Sequence, residues 1–159
     1  MAEGTLSVRA TAQEALLDLI TKSGSLTALV VTKEGVAVAE AGDVSYLNTT
    51  AMAALVAGMF SATKEVARMV GENQFSILLQ QGENRHIHIS LIQDSRMMVI
   101  IFEDYQRIGL VRYEARRASE RLSEAFRLES MLEVPHEPIS TPQFREYALN
   151  LIDRIFQPK

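Results

Sequence analysis

The sequence contains no cysteine, and this absence excludes disulfide bonds, thiol catalysis and cysteine-rich zinc sites. Its longest uninterrupted apolar run, Met97 to Phe102, is far shorter than the roughly 20 residues that a helix needs to span a bilayer. Residues 1–10 lack a hydrophobic signal core, so we expect a cytoplasmic protein that does not insert into membranes. No basic run interleaved with aromatic residues occurs, and the net charge of -4 argues against nucleic acid as a partner.

Motifs for catalysis and cofactor binding are also missing. The chain has no nucleophile elbow, phosphate-binding loop, dinucleotide glycine fingerprint or HExxH helix, so we expect neither an enzyme nor a bound cofactor. His86 and His88 alternate along a predicted strand and could supply two metal ligands, but no third ligand is evident. The preferred interpretation is that both histidines are exposed on a strand near the sheet edge.

The length of 159 residues, 47% of them hydrophobic, suits one domain with a sizeable core and a short appendage. Hydrophobic periodicity and turn residues predict a helix (11–21), a hairpin (26–32 and 36–41), a long helix, a meander (75–81, 85–92 and 97–103) and a third helix. The fold class is therefore α/β (α+β), a layered α/β/α arrangement with a five-stranded antiparallel sheet. Met97 to Phe102 is apolar on both faces, which predicts the central strand.

The long helix, which Asn48 or Thr49 can cap and Gly71 can end, carries two differently built faces. One is an apolar stripe predicted to face the core: Met52, Leu55, Val56, Met59, Val66 and Val70. Small residues, including Gly58, lie on another face. Because glycine inside a helix costs roughly 1 kcal/mol relative to alanine, we expect another backbone to approach Gly58 closely. Either a second helix packs there, or the small residues let the helix lie flat on its own sheet.

The third helix is marked by an apolar stripe: Val111, Ala115, Ala118, Leu122 and Ala125. Its outer face is rich in arginine and interspersed with glutamate: Arg112, Glu114, Arg116, Arg117, Glu120, Arg121 and Glu124. Opposite charges at helical spacing are typical of a solvated surface. The domain is expected to span residues 1–131.

Residues 132–140 contain two prolines and no periodicity, which is typical of a linker. Residues 141–159 then form a predicted amphipathic helix, since Thr141 can cap it and Pro142 suits its first position. Its predicted contact residues are Phe144, Tyr147, Leu151 and Ile155. A helix of about 15 residues is marginal alone in water, so it must dock on its own domain or await a partner.

Four segments together resemble the roadblock family of dynein-light-chain-like proteins: LVVTKEGVAVAEAG, TTAMAALVAG, GENQF and IGLVRYEARRASERL. The resemblance covers roughly Ala12 to Arg127 and is strongest to the bacterial MglB-type regulators of Ras-like gliding-motility GTPases. It implies a roadblock/profilin-like fold. One departure is Thr32, where family members commonly carry an aspartate before the hairpin turn.

The resemblance implies a homodimer that docks the GTP-bound form of an MglA-type small GTPase and activates its hydrolysis, in cell polarity or gliding motility. The implied dimer and partner platform is Ala54, Ala57, Gly58, Ser61, Ala62, Glu65 and Arg68. The implied dimer edge strand, uncharged over 75–81, contributes Phe75, Ile77 and Leu79. The C-terminal helix would contact the GTPase. MglB-like regulators are held to reposition the GTPase's own groups, so an arginine finger from Arg68, Arg107 or Arg112 is not favoured.

Two other functions stay open on the sequence. The chain could be a roadblock-type scaffold that joins a signalling complex without changing GTP hydrolysis. It could also be a small-molecule sensor, because a layered domain of this size can enclose a ligand cavity. Against the sensor, no convergent polar cluster occurs among the predicted core positions.

Overall fold

The computed structural model of the chain describes residues 2–73, 75–93, 95–132, 150 and 154. Its elements are α1 (Ala2–Ser23), β1 (Thr27–Thr32), β2 (Ala37–Gly42), α2 (Thr49–Met69), β3 (Ile77–Gln81), β4 (His86–Gln93), β5 (Arg96–Phe102) and α3 (Ile108–Leu132), with a 3-10 turn at Tyr105–Arg107. The order of elements agrees with the sequence prediction, and the strand ends differ from it by only one or two residues. Among the described residues, no helix combines the length and the apolar character needed to cross a membrane.

The strands form one antiparallel sheet in the order β2-β1-β5-β4-β3. β5 is central, and every residue from Met97 to Phe102 is buried, as predicted for a strand that is apolar on both faces. Met98 and Ile100 pack against α1 and α3, whereas Met97 and Val99 pack against α2. The predicted layered α/β/α fold is therefore confirmed.

The β1–β2 hairpin turns at Gly35, whose φ of +88° lies in the left-handed region that glycine tolerates best. Thr32 closes this turn with two hydrogen bonds. Its N–H donates to the Val36 carbonyl at 2.9 Å, and its Oγ1 accepts from the Val36 N–H at 3.2 Å. The threonine hydroxyl thus supplies an acceptor in the turn, so the departure from the family pattern at this position leaves the hairpin intact.

α3 covers the sheet through its predicted apolar stripe, which is buried throughout: Val111, Ala115, Ala118, Leu122 and Ala125. The arginines of the outer face are exposed as predicted: Arg112, Arg116, Arg117 and Arg121. Glu114 is the exception, because it is only 5% exposed, and its assignment to the solvated face is wrong. With 3.6 residues per turn, Glu114 lies on the same side of the helix as Val111 and Ala118, three and four positions away.

α1 is longer than the predicted helix over 11–21, since it begins at Ala2 and ends at Ser23 before Gly24. The side of α1 that was predicted to be apolar does face the core. Ala15, Leu16 and Leu19 are buried and Ile20 is half-buried, and all four pack in the core cluster that also contains residues of α3.

The C-terminal part of the chain lies almost wholly outside the described residues. Asn150 and Arg154 are described there, and both have helical backbone. The predicted linker over 132–140 lies outside the described residues, apart from Leu132 at the end of α3. The predicted contact residues of the C-terminal helix also lie outside them: Phe144, Tyr147, Leu151 and Ile155. These assignments stay predictions.

Candidate docking surface on helix α2

The two ends of α2 are closed by the hydrogen bonds that the sequence predicts. The Asn48 side chain accepts from the Ala51 N–H at 3.0 Å, which is the N-cap interaction. At the other end the Glu72 N–H donates to the Ala67 carbonyl at 2.8 Å, across Gly71 with a φ of +85°. A left-handed glycine bridged by this bond is a Schellman ending. Both ends are therefore set locally by the sequence.

The face of α2 that packs on the sheet is built mainly of small side chains. Its buried residues are Ala53, Val56, Ala57, Phe60 and Ala67. They form one cluster with residues of three strands: Leu29 and Val31 of β1, Ile89 of β4, and Met97 and Val99 of β5. Alanines allow the helix to lie close to the sheet, and Val56 and Phe60 supply the larger contacts.

The predicted apolar stripe of α2 lies only partly on this buried face. Val56 is buried, and Met52 and Met59 are half-buried. Three members are more than half exposed: Leu55 (67%), Val66 (54%) and Val70 (67%). Their assignment to the core is wrong because α2 is apolar on two sides. Spacings of three and four then fit more than one stripe, and periodicity does not choose between them.

The exposed apolar residues form a strip on the side of α2 that points away from the sheet. Spacings of three and four residues place these residues on the outer strip: Ala51, Leu55, Gly58, Ala62, Val66 and Met69. None of them carries a charge, and Met69 is 87% exposed. A contiguous row of exposed apolar side chains is typical of interaction sites in soluble proteins.

Gly58 lies midway along the outer strip, and a Cβ built on it would meet no atom of the described residues within 4 Å. Packing within the described chain therefore does not account for this glycine. The interpretation that small residues let α2 lie flat on its own sheet holds for Ala57 but not for Gly58. A different element approaches Ala54, since a Cβ on Gly35 of the β1–β2 turn would lie 3.1 Å from the Ala54 Cα.

Most of the predicted platform residues are exposed: Ala54, Gly58, Ser61, Ala62, Glu65 and Arg68. Ala57 is only 8% exposed and belongs to the core, so it offers little surface to a partner. Glu65 and Arg68 form an exposed ion pair with an Oε1–Nη1 distance of 3.0 Å, which contributes little to stability. The sequence interpretation missed Leu55, Val66 and Met69 as surface residues. No signal in the sequence separates them from the buried face, because both faces of α2 have apolar residues at helical spacing.

β3 is an edge strand, as the dimer prediction requires. It pairs with β4 alone, and its outer edge faces no other described strand. The strand begins at Ile77, two residues later than predicted, so Phe75 precedes it. Ile77 is 44% exposed, and Leu79 is half-buried against the core. An edge without charge or proline is open to pairing with another chain.

The three arginines that could serve as arginine fingers differ in their partners and in their position in the fold. Arg68 is paired with Glu65. Arg107 has its Nε 3.7 Å from the Asp104 carboxylate, and its Nη1 donates to the Ser23 carbonyl at 3.4 Å. Arg112 belongs to α3, on the opposite side of the sheet from α2. None of these three arginines belongs to the outer strip.

His86 and His88 are buried, with 3% and 1% of their surface exposed, so the expectation of exposed histidines is wrong. Both side chains point to the α3 side of β4: the His86 ring packs against Phe102 and Tyr105, and His88 lies near Arg112 and Ala115 of α3. The Nδ1 of His86 accepts from the Gly82 N–H at 3.2 Å. Within the described part of the chain, no cluster of three or more His, Asp or Glu side chains could hold a metal ion.

Known proteins match this chain in family and in fold. Residues 11–102 match the model of the Roadblock/LC7 domain. Myxococcus xanthus MglB is 25% identical with a TM-score of 0.74, over 80% of this chain and 94% of that one. The gliding protein MglB of Thermus thermophilus is 26% identical with a TM-score of 0.69, and the match covers 74% of this chain and 90% of that one. Acanthamoeba castellanii profilin IA, 10% identical with a TM-score of 0.52 over 70% and 96%, shares the fold alone. No curated protein matches the sequence.

Proposed function

The chain belongs to the Roadblock/LC7 family, and from this membership we propose that it is a homodimeric regulator of an MglA-type Ras-like small GTPase. The dimer docks the GTP-bound form in the cytoplasm and acts as a GTPase-activating protein in cell polarity or gliding motility. The fold similarity to two MglB proteins, at 25% and 26% identity, supports this proposal. The chemistry of hydrolysis belongs to the GTPase, and this chain supplies a binding surface.

The observation that carries the proposal is the outer strip of α2. Leu55, Val66 and Met69 expose most of their surface, and covering apolar surface gains about 25 cal/mol per Å². A two-fold axis brings two copies of the same strip together, as closed dimers require. Gly58 then permits close approach of the paired helices, and the uncharged edge of β3 pairs with its own copy.

The polar flank of the outer strip suits the GTPase better than the dimer partner. Ser61, Glu65 and Arg68 lie on this flank and are exposed. Permanent dimer interfaces are more apolar than transient ones, so the apolar strip is assigned to the dimer and the polar flank to the GTPase. In line with the resemblance to MglB-type regulators, activation proceeds by repositioning the GTPase's own groups, and Arg68, Arg107 and Arg112 all lie outside the outer strip.

Single-turnover GTP hydrolysis by an MglA-type GTPase from the same genome, with and without this protein, tests the proposal. We expect faster hydrolysis with the wild-type chain and loss of that effect with Gly58→Arg or Ser61→Arg. Gly109→Arg is a matched control, since Gly109 is also a helical glycine whose added Cβ would meet no atom within 4 Å in the part of the chain that the structure describes. This control lies on α3 and should stimulate hydrolysis as the wild type does.

Light scattering and pull-down of the GTP-loaded GTPase separate the two kinds of contact. The wild type should scatter with about twice the chain mass of 17.7 kDa. A variant that becomes monomeric identifies a dimer contact, and one that stays dimeric but loses the GTPase identifies a partner contact. Binding by the wild type without faster hydrolysis would make the protein a scaffold. If Gly58→Arg and Ser61→Arg both dimerise and bind the GTPase as the wild type does, the docking platform is not on this face of α2.

A further inference from the structure

A cavity of about 420 Å³ lies between β3, β4 and α3. It is on the sheet face opposite α2, away from the outer strip, although Ile77 in its lining also belongs to the β3 edge that is proposed to pair in the dimer. His88 and Ser90 line it from β4, Arg112 and Arg116 from α3, and Ile77 from β3. This volume is within the range of small-molecule sites, which combine apolar walls with a few convergent polar groups.

Two polar side chains in the cavity wall are buried without a hydrogen-bond partner. His88 is 1% exposed and Ser90 is 8% exposed. Among the described residues, neither ring nitrogen of His88 nor the Oγ of Ser90 has a hydrogen-bond partner. Buried polar groups in native proteins are nearly always satisfied, because each unsatisfied group costs about 1–3 kcal/mol. These three atoms have almost no accessible surface, so a ligand with polar atoms would satisfy them after a side-chain rotation.

The charged residues of the cavity favour a negatively charged ligand. Arg112 and Arg116 lie one turn apart on α3, and neither forms an ion pair with a described carboxylate. Arg121, farther along the same helix, is instead 3.5 Å from Asp18. Glu120 is the one carboxylate in the cavity lining among the described residues, so positive charge prevails there.

His88 adds a neutral hydrogen-bonding group. Burial, reinforced by the nearby charge of Arg112, lowers the pKa of His88 to about 4. The imidazole is therefore neutral near pH 7, with one nitrogen that donates and one that accepts. It can hydrogen-bond a ligand in the cavity without adding to the positive charge of the arginines.

We propose that this cavity binds a small organic anion. Its carboxylate or phosphate group lies against the guanidinium groups of Arg112 and Arg116 and the hydroxyl of Ser90, and its apolar part packs on Ile77. Guanidinium groups form short, charge-assisted hydrogen bonds with both kinds of head group. The sequence interpretation found no convergent polar cluster in the core, because it took His88 to be exposed.

Two-dimensional NMR of the full-length chain tests this site. The protein is titrated near pH 7 at constant ionic strength with phenyl phosphate, phenylacetate and their neutral counterpart, benzyl alcohol. We expect saturable shifts at His88, Ser90 and the α3 amides with at least one of the anions and none with the alcohol. The anion that binds more tightly identifies the preferred head group.

Charge variants provide the control. Arg112→Gln and Arg116→Gln should each weaken binding about tenfold or more, since each removes a charged hydrogen-bond donor. Arg117→Gln removes an exposed arginine of the same helix that does not line the cavity, and it should bind as the wild type does. The proposal is overturned if neither anion saturates, if benzyl alcohol binds equally well, or if all three variants weaken binding alike.

Discussion

Acid should destabilise this protein through one buried histidine. The pKa of His88 is about 4 in the folded chain, because of burial and the nearby Arg112, and about 6.5 in an unfolded chain. Between these values the unfolded chain binds a proton that the folded chain does not bind. The free energy of unfolding therefore falls as the pH falls, by up to roughly 1.4 kcal/mol per pH unit. By pH 4.5 we expect a loss of about 2 kcal/mol relative to pH 7 from this residue.

Urea unfolding followed by circular dichroism measures this effect in the wild type and in His88→Gln, near pH 7 and near pH 4.5. Glutamine does not titrate, so the variant should lose about 2 kcal/mol less than the wild type over the same interval. Hydrogen bonds from neighbouring side chains hold the pKa of three carboxyl groups below their ordinary value: Asp18, Asp43 and Glu124. These three carboxyl groups are present in both proteins. Their contributions to the pH dependence therefore cancel when the change in unfolding free energy of the variant is subtracted from that of the wild type.

Protein concentration must be equal in the two series, because dimerisation would stabilise the folded state by mass action. His88→Gln can be less stable than the wild type at both pH values without affecting the test, since only the change with pH is compared. Equal pH dependence of the two proteins would refute the reasoning. An NMR titration in which His88 has a pKa near 6.5 would refute it directly.

Three further predictions concern the glycines and the C-terminal helix. Gly58→Ala should weaken dimerisation, measured by light scattering on dilution, although packing among the described residues leaves room for the methyl group. If the variant dimerises as tightly as the wild type and its folded state gains up to about 1 kcal/mol from helix propensity, the helices do not approach each other closely at Gly58. Gly42→Ala should lower the midpoint of thermal unfolding, because Gly42 has a φ of +82° and a Cβ would collide with the Leu26 carbonyl oxygen; an unchanged midpoint would contradict this. Truncation after Ser140 should weaken GTPase binding or slow nucleotide exchange while changing the free energy of unfolding by under about 0.5 kcal/mol, and Leu151→Ala should do the same. A large loss of stability with unchanged GTPase behaviour would instead indicate that 141–159 docks on its own domain.

Much of the fold is predictable because its signals are local. Gly35 and Gly71 adopt positive φ where the sequence predicts a turn and a helix end, and Asn48 caps α2 through its own side chain. The run from Met97 to Phe102 requires cover on both faces, which predicts the central strand and the two helical layers. The stripe of α3 is unambiguous because its opposite face is charged.

The candidate sites were less predictable because their residues are ambiguous in isolation. α2 is apolar on two sides, so the sequence could not tell which of Leu55 and Phe60 faces the sheet; the structure buries Phe60 and exposes Leu55. His86 and His88 alternate on β4 as predicted, but an alternating pattern does not reveal what covers each face of a strand.

Local sequence signals therefore establish the order of the elements, the central strand and the exposed arginine face of α3, since propensity, turn chemistry and periodicity act over a few neighbouring residues. Tertiary packing establishes which side of α2 is the surface, and it buries His88, Ser90 and Glu114. Burial is a non-local property: it depends on which elements, distant in the chain, are brought against a residue when the layers pack.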